Sequence, residues 1–256
     1  MADVDPANAP MPERKRDRVM RAMRVPLAVR TSDLPLRLAS AAVMLGVAAL
    51  AFWAGTWAVR ALISAVGIAC FWEWQRMVRA RSISGFAKAI WMAGGVLYIG
   101  LAAWLMMELP LDALPVIIGV VIFTDSCAYF AGRTFGGPKI APRISPSKTW
   151  AGLAGGMLGA GLFLWIIMAV LIRADGETNL SVPQLMFAPM GLLFLPMGAG
   201  MAIAAQMGDF FESWMKRKAA MKDSSNLIPG HGGVFDRIDG LMPVAILVGL
   251  VFMYFL

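Results

Sequence analysis

Long apolar runs are the feature of this sequence that most constrains the fold. Seven segments are long enough to cross a hydrocarbon core of about 30 Å, which takes roughly 20 helical residues. We place them near residues 38–57, 59–75, 89–107, 113–131, 151–172, 185–207 and 240–256. The first two are nearly continuous, and we expect a tight hinge around Arg60. The runs therefore predict an all-α, polytopic transmembrane helix bundle of about seven spans.

The composition excludes several other classes of protein. Hydrophobic residues make up 59% of the 256 and charged residues only 15%, against about 25% charged in ordinary soluble domains. A soluble enzyme, a disordered scaffold and a secreted disulfide protein are all excluded. A transmembrane β-barrel would show alternating segments of about 10 residues, which are absent from the sequence. Cys70 and Cys127 lie inside apolar runs without metal-binding spacing, so we expect small buried hydrophobes.

The basic residues predict how the bundle is oriented. The segments 1–37, 76–88, 132–149 and 208–239 carry 21 of the 23 Lys and Arg residues, and only Arg60 and Arg173 lie in the other connections. Basic loops mark the cytosolic side of a membrane protein. We therefore expect a cytosolic N-terminus, an odd number of spans and an outward C-terminus. The net charge of +7 then reflects topology, and we expect no nucleic-acid partner.

Three regions follow from this pattern. Residues 1–37 form a basic cytosolic tail, partly disordered, with a short surface helix over 14–24. Residues 38–123 form the N-terminal transmembrane helices. Residues 124–256 form the catalytic transmembrane region with its cytosolic loops, because the polar residues capable of chemistry concentrate there.

The segment between the sixth and seventh runs is the richest in these residues. If the sixth helix continues past Asp209, residues at spacings of three, four and seven share one face; these are Asp209, Glu212, Ser213 and Lys216. Asp236 and Asp239 are likewise three apart at the start of the last helix. Carboxylates at the membrane boundary are costly unless they are paired or bound to a metal.

The same segment offers partners for a cation and for phosphates. Mg²⁺ prefers carboxylate oxygens together with substrate phosphate oxygens. Positive charge for a polyphosphate comes from Lys216, Arg217, Lys222 and Arg237. The Pro-Gly-His-Gly-Gly loop allows backbone to approach a ligand closely. His231 in this loop is the only histidine, and its role (phosphate donor, proton carrier or loop brace) stays open.

A second polar segment covers residues 124–150. Asp125 lies within an apolar helix, where a charge usually has a functional role. Ser145, Ser147, Lys148 and Thr149 precede the fifth run, where hydroxyls and a helix N-terminus could cradle phosphate; the alternative is a solvated loop capped by Thr149. Glu73 we expect only to cap the second run against Arg76 or Arg79. Together the segments predict metal-assisted phosphoryl or nucleotidyl transfer at the cytosolic face onto a membrane-embedded substrate.

These motifs resemble the signature of phosphatidate cytidylyltransferases, also called CDP-diacylglycerol synthases. The match runs Ser213-x-x-Lys216-Arg217, Lys222-Asp223, His231-Gly232-Gly233 and Asp236-Arg237-x-Asp239, filling every fixed position across 27 residues. The Gly208-Asp209-x-x-Glu212-Ser213 run, the Asp125/Tyr129/Gly132 run and the Ser145-Pro146-x-Lys148-Thr149-Trp150 run are similar to the other motifs of that family. Two positions depart from it: Ala151 replaces a usual Glu, and Ser147 a usual Lys.

The resemblance implies an integral membrane nucleotidyltransferase of phospholipid biosynthesis. It would form CDP-diacylglycerol and pyrophosphate from CTP and phosphatidic acid in the bacterial inner (plasma) membrane. The implied cofactor is Mg²⁺, and whether a monovalent cation is also needed stays open. The implied metal ligands are Asp209 and Asp236, with Asp239 third. Catalysis would further involve Lys216, Arg217, Lys222, Asp223 and His231. Substrates would contact Asp125, Ser145, Ser147, Lys148, Thr149, Ser213, Gly232, Gly233 and Arg237. A homodimer is also compatible with the family.

Three other functions compete with this reading. A CDP-alcohol phosphotransferase would carry an Asp-Gly-x-x-Ala-Arg run, which the sequence lacks. A polyprenol or dolichol kinase using CTP is closer in mechanism and harder to separate by physical argument. A secondary transporter would place polar groups at mid-membrane in several helices, whereas here most charges gather toward one face.

Overall fold

The computed structural model describes residues 34–176 and 178–255, and they form a helical bundle. The long helices are α1 (Leu34–Ala54), α2 (Thr56–Ala80), α3 (Gly85–Glu108), α4 (Ala113–Thr134), α5 (Trp150–Ala174) and α7 (Pro189–Lys218). All six are long and apolar enough to cross a membrane. The chain is thus an integral membrane protein, and the predicted fold class is confirmed. The predicted surface helix over 14–24, with the tail as far as residue 33, lies outside the described residues.

The seventh predicted span is a shorter helix. It forms α9 (Leu241–Phe255), which has 15 residues and is below the length of about 20 that a straight span needs. Two further short helices, α6 (Val182–Phe187) and α8 (Phe235–Ile238), complete the helical elements. The described residues therefore contain six full-length spans and one shorter apolar helix.

The expected hinge at Arg60 is wrong. The chain turns at Gly55 instead, between α1 and α2, with φ at 95°, a left-handed conformation that glycine adopts without steric cost. Arg60 lies within α2, and its guanidinium donates a hydrogen bond to the Met107 carbonyl at 3.1 Å. Arg60 therefore connects α2 to α3 and does not interrupt the helix.

The sixth predicted span differs at both ends. Its first residues form the separate helix α6, and α7 begins at Pro189, where proline costs no helical hydrogen bond. The helix then continues to Lys218 rather than ending near residue 207. Hydropathy follows the apolar part of a helix, whereas the polar last turns of α7 are held by contacts such as the Glu212–Lys216 ion pair.

A small β-hairpin, which the sequence did not predict, precedes α5. Its strands β1 (Lys139–Ala141) and β2 (Ser145–Thr149) are antiparallel, with Lys139 opposite Thr149 and Ala141 opposite Ser145. The hairpin leads directly into α5, so the residues of β2 are fixed relative to the start of that helix.

Small residues let α5 pack closely against α4 and α7. A Cβ added at Gly198 in α7 would lie 2.5 Å from the Ala160 carbonyl oxygen in α5. Cys127 in α4 packs against Gly159, and Cys70 is buried, so both cysteines act as small core residues. Lipid gives helices no hydrophobic drive to associate, and close backbone contact supplies packing energy instead.

The basic segments meet at one end of this bundle. The end of α2 contacts the 222–235 segment through Glu73, and Arg217 donates to the Ile144 carbonyl of the hairpin. At the start of α1, Ser40 Oγ lies 2.7 Å from His231 Nδ1. This common location is what the positive-inside pattern requires, while the side of the membrane stays a prediction.

The close contact at Gly198 predicts a site-specific loss of stability. We expect Gly198→Ala to destabilise the protein by about 1–3 kcal/mol, because the added methyl overlaps the backbone of α5. Gly200→Ala, two residues along the same helix, is the matched control, since nothing lies within 4 Å of its Cβ position. Thermal unfolding in detergent should show a midpoint several degrees lower for Gly198→Ala only. Equal midpoints for the two variants would contradict the packing described here.

Candidate active site

A cavity of about 680 Å³ opens at the basic end of the bundle, between α4, β2, α5, α7 and α8. Eight of the predicted site residues line it: Asp125, Ser147, Lys148, Thr149, Asp209, Lys216, Asp236 and Asp239. Residues far apart in the sequence, from the two polar segments, thus share one space. Asp125 is exposed to this cavity rather than enclosed by helix packing.

Two lysines pair with three of the five carboxyl groups that line the cavity. Lys216 Nζ lies 2.7 Å from Glu212 Oε2 and 2.7 Å from Asp236 Oδ1. Lys148 Nζ, from β2, forms an ion pair with Asp209 of α7, and Ser213 Oγ donates to the same Asp209 at 3.4 Å. The predicted polar face of the sixth helix is thus present, and opposite charges alternate across the cavity.

Asp236 is the most heavily hydrogen-bonded of these carboxylates. Besides Lys216, it accepts from the Gly233 N–H at 2.8 Å and from the Ser224 N–H and hydroxyl, each at 3.0 Å. Burial opposes its ionisation, but its neighbours Glu212 and Lys216 and the Gly233 N–H hold the pKa of Asp236 well below its usual range. Asp236 is therefore an anion at neutral pH.

Asp239 is in the opposite electrostatic situation. Burial, together with the negative charge of Asp209, raises the pKa of Asp239 to about 7. One of its oxygens accepts a hydrogen bond from the Gly240 N–H at 2.9 Å. A cation placed near both carboxylates would lower this pKa again, so the pair is suited to binding positive charge.

Thr149 joins the hairpin to the cavity as a helix cap. Its hydroxyl accepts a hydrogen bond from the Gly152 N–H at 3.0 Å and is the N-cap of α5. The cap is therefore present, and contact of this segment with phosphate stays a prediction. Ser145, at the other end of β2, is buried and outside the cavity lining, whereas Ser147 is exposed and lines it.

The remaining predicted residues do not line the cavity. Exposed positions are held by Arg217, Lys222, Asp223 and Arg237. Arg237 donates from its guanidinium Nε to the His231 carbonyl at 3.0 Å, and His231 contacts Ser40 as described above. Gly232 has a φ of 87°, which favours glycine. Here the His-Gly-Gly segment shapes the loop that supports Asp236, and its contact with substrate stays a prediction.

Several residues of the site were missed from the sequence as site residues. The lining also includes Arg133, Lys139, Gln206 and Glu212. Glu212 could have been selected, since it lies on the same helical face as Asp209 and Lys216. Arg133 and Lys139 follow Asp125 along the chain, but their spacing does not place them on a shared helical face with the other site residues. Glu73 lies outside the lining and contacts the loop behind Asp236.

The family of the chain can now be assigned. The model of the cytidylyltransferase family matches residues 95–255, a range that contains every residue lining the cavity. The chain belongs to the cytidylyltransferase family. The proposed resemblance is thereby confirmed.

Curated relatives support the same family. The chain is 40% identical over 166 residues to the phosphatidate cytidylyltransferase of Brucella suis biovar 1 (strain 1330), covering 62% of this chain and 56% of the relative. It is 43% identical over 141 residues to that of Thermotoga maritima (strain ATCC 43589), covering 55% and 48%. It is 41% identical over 126 residues to that of Rickettsia felis, covering 49% and 52%. The chain therefore spans about half the length of the curated relatives it matches.

The capping role of Thr149 can be separated from contact with substrate. We expect Thr149→Ala to lower the stability by about 1 kcal/mol, because the Gly152 N–H loses its acceptor, while Thr149→Ser keeps the hydroxyl and the stability. Thermal unfolding without added substrates measures the difference. An unchanged midpoint for Thr149→Ala would show that the hydroxyl is not a significant cap.

Proposed function

We propose that this cytidylyltransferase family member forms CDP-diacylglycerol and pyrophosphate from CTP and phosphatidic acid. One observation carries the proposal: a cavity at the basic end of a membrane bundle combines lysines and carboxylates drawn from both polar segments, within the residues that match the family model. The relatives named phosphatidate cytidylyltransferase support the choice of substrates. The acyl chains of a lipid substrate would stay in the bilayer, which explains why the site is built from membrane helices.

The proposed reaction does not require a protein side chain to act as a strong general base. A phosphatidate oxygen forms a new bond to the α-phosphorus of CTP while the bond to the pyrophosphate oxygen breaks, so the charge is displaced to the leaving group. The nucleophile is already an anion, and no strong general base is required. Lys148 and Lys216, with Arg133 and Lys139 at the cavity wall, would orient and neutralise phosphates.

We propose Mg²⁺ as the cofactor, held by Asp209 and Asp236, with Asp239 as the third carboxylate. Within residues 34–176 and 178–255 no group of three or more His, Cys, Asp or Glu forms a metal site by itself. This fits Mg²⁺, which is commonly bound by one or two carboxylates plus substrate phosphates. Glu212 also lines the cavity, and its Oε1 is buried without a hydrogen-bond partner in the described part of the chain. When bound, the ion would offset negative charge on the phosphates.

We further propose that the cavity faces the cytosol of a bacterium, at its inner membrane. The 76–88, 132–149 and 208–239 segments meet at the end of the bundle that contains the cavity, as positive-inside topology requires. CTP is a cytosolic metabolite and could then reach the site directly. In sealed vesicles, CTP added outside should be used only when the cytosolic face points outward.

A substrate assay tests the proposed function. Purified protein in detergent should convert CTP and phosphatidic acid to CDP-diacylglycerol with equimolar pyrophosphate, only when Mg²⁺ is present, and with much less product from ATP or GTP. Asp209→Asn and Asp236→Asn should each lower turnover by about 100-fold or more, since charge stabilisation in such sites is commonly worth that much.

The control for these substitutions is Asp112→Asn. Asp112 is exposed at the start of α4, at the other end of the bundle, and makes no side-chain capping bond. It should keep normal turnover. Phosphorylation of a lipid alcohol by CTP would instead indicate a lipid kinase, and phosphatidate movement across liposomes without any product would indicate a transporter.

A further inference from the structure

We propose that Glu73 of α2 is a positioning residue that holds the Asp236 loop in its reactive arrangement. Glu73 precedes residues 95–255, the part of the chain that matches the family model, and it does not line the cavity. The inference rests on the proposed function, and it assigns to the N-terminal helices a role in the reaction as well as in anchoring the bundle.

The Glu73 carboxylate accepts hydrogen bonds from four groups of one loop. Its Oε2 accepts from the Ser224 hydroxyl at 3.0 Å and from the Phe235 N–H at 2.7 Å. Its Oε1 accepts from the Val234 N–H at 2.9 Å and from the Ser225 hydroxyl. The side chain is completely buried. Two separated stretches of the loop are thereby tied to a single rigid point on α2.

This arrangement satisfies Glu73 without a cation. Its partners are two hydroxyls and two backbone N–H groups, and among the described residues it forms no salt bridge. A buried carboxylate is costly unless hydrogen bonds replace its hydration, and these four bonds fill that need. The expectation that Glu73 pairs with Arg76 or Arg79 is therefore wrong.

The anchoring is transmitted directly to the cavity. The Ser224 hydroxyl lies 3.0 Å from both Glu73 Oε2 and Asp236 Oδ2, so its single proton is shared between the two carboxyl groups. The two N–H groups bound by Glu73 immediately precede Asp236. Asp236 in turn pairs with Lys216, which lines the cavity. The path from Glu73 to the charged cavity therefore contains only Ser224 and Asp236.

The tightness of this contact explains a glycine of the His-Gly-Gly run. A Cβ at Gly233 would overlap the Ser224 hydroxyl and would lie 2.6 Å from Glu73 Oε1. A larger residue at this position would push the carboxylate and the loop apart. Gly233 thus permits Glu73 to approach, and its own N–H donates to Asp236.

Glu73→Gln tests the proposal with little change in size. The substitution replaces an acceptor oxygen by an NH₂ group that faces donors of the loop, so the loop should loosen while α2 stays packed. We expect kcat to fall about 10- to 100-fold, the range for residues that orient others at a site, with KM for CTP changed by less than about threefold. Glu108→Gln is the matched control, since Glu108 is exposed at the end of α3.

A second readout is independent of turnover. Amide hydrogen exchange in peptides covering 222–238 should be faster in Glu73→Gln than in Glu108→Gln, with exchange in α5 unchanged. Unchanged exchange with unchanged kcat would overturn the proposal. A fall in kcat that merely follows the fraction of folded protein would also overturn it, because it would show a general role in stability.

A companion variant keeps the test decisive if Glu73→Gln does not fold. Ser224→Ala leaves the carboxylate and three of its donors, and removes only the hydroxyl that Glu73 and Asp236 share. It should lower kcat and speed exchange in the same peptides; normal values for both would overturn the proposal. Failure of the wild-type protein to form any CDP-lipid would instead reject the proposed function, while the exchange measurement would still test the hold of Glu73 on the loop.

Discussion

The position of Lys216 between Glu212 and Asp236 is the interaction on which the rest of the site depends. Ionisable groups near a membrane boundary are costly unless they are paired, and here one ammonium group pairs with two carboxyl groups. Lys216 lies 2.7 Å from both carboxylates, and it comes from the polar last turns of α7. Because α8 carries Asp236, this one ammonium group joins the end of the sixth long helix to the loop before α9. The cavity is the space left beside that junction.

The helix bundle serves this junction by fixing α4, α5 and α7 at close range. Glycines at the α5–α7 contact bring the helix backbones together, so Asp125, Lys148 and Asp209 reach one cavity from three elements. The α2 helix does not line the cavity, but its Glu73 binds the loop that leads to Asp236. Precision of this kind matters for phosphoryl chemistry, in which catalysis consists largely of positioning and charge stabilisation.

The sequence predicts the parts of this structure that depend on a long, one-dimensional pattern. Apolar runs located the long helices, and the spacing of Asp209, Glu212 and Lys216 placed them on one face. The β1–β2 hairpin escaped prediction because strands of three and five residues leave too short a pattern. The role of Glu73 also escaped, since its hydroxyl partners lie about 150 residues away. A hydrogen bond between residues so far apart in sequence depends on tertiary packing, which no local sequence pattern reveals.

Equilibrium binding of CTP to the purified protein tests the central claim, that the paired charges of the cavity form a joint site for a triphosphate and a divalent cation. Asp125, Asp209 and Asp239 would repel the triphosphate when no cation is present. The account predicts that Mg²⁺ raises the affinity for CTP by about tenfold or more, and that Asp209→Asn removes most of this dependence. Equal affinity for CTP with Mg²⁺ and with EDTA would contradict the account.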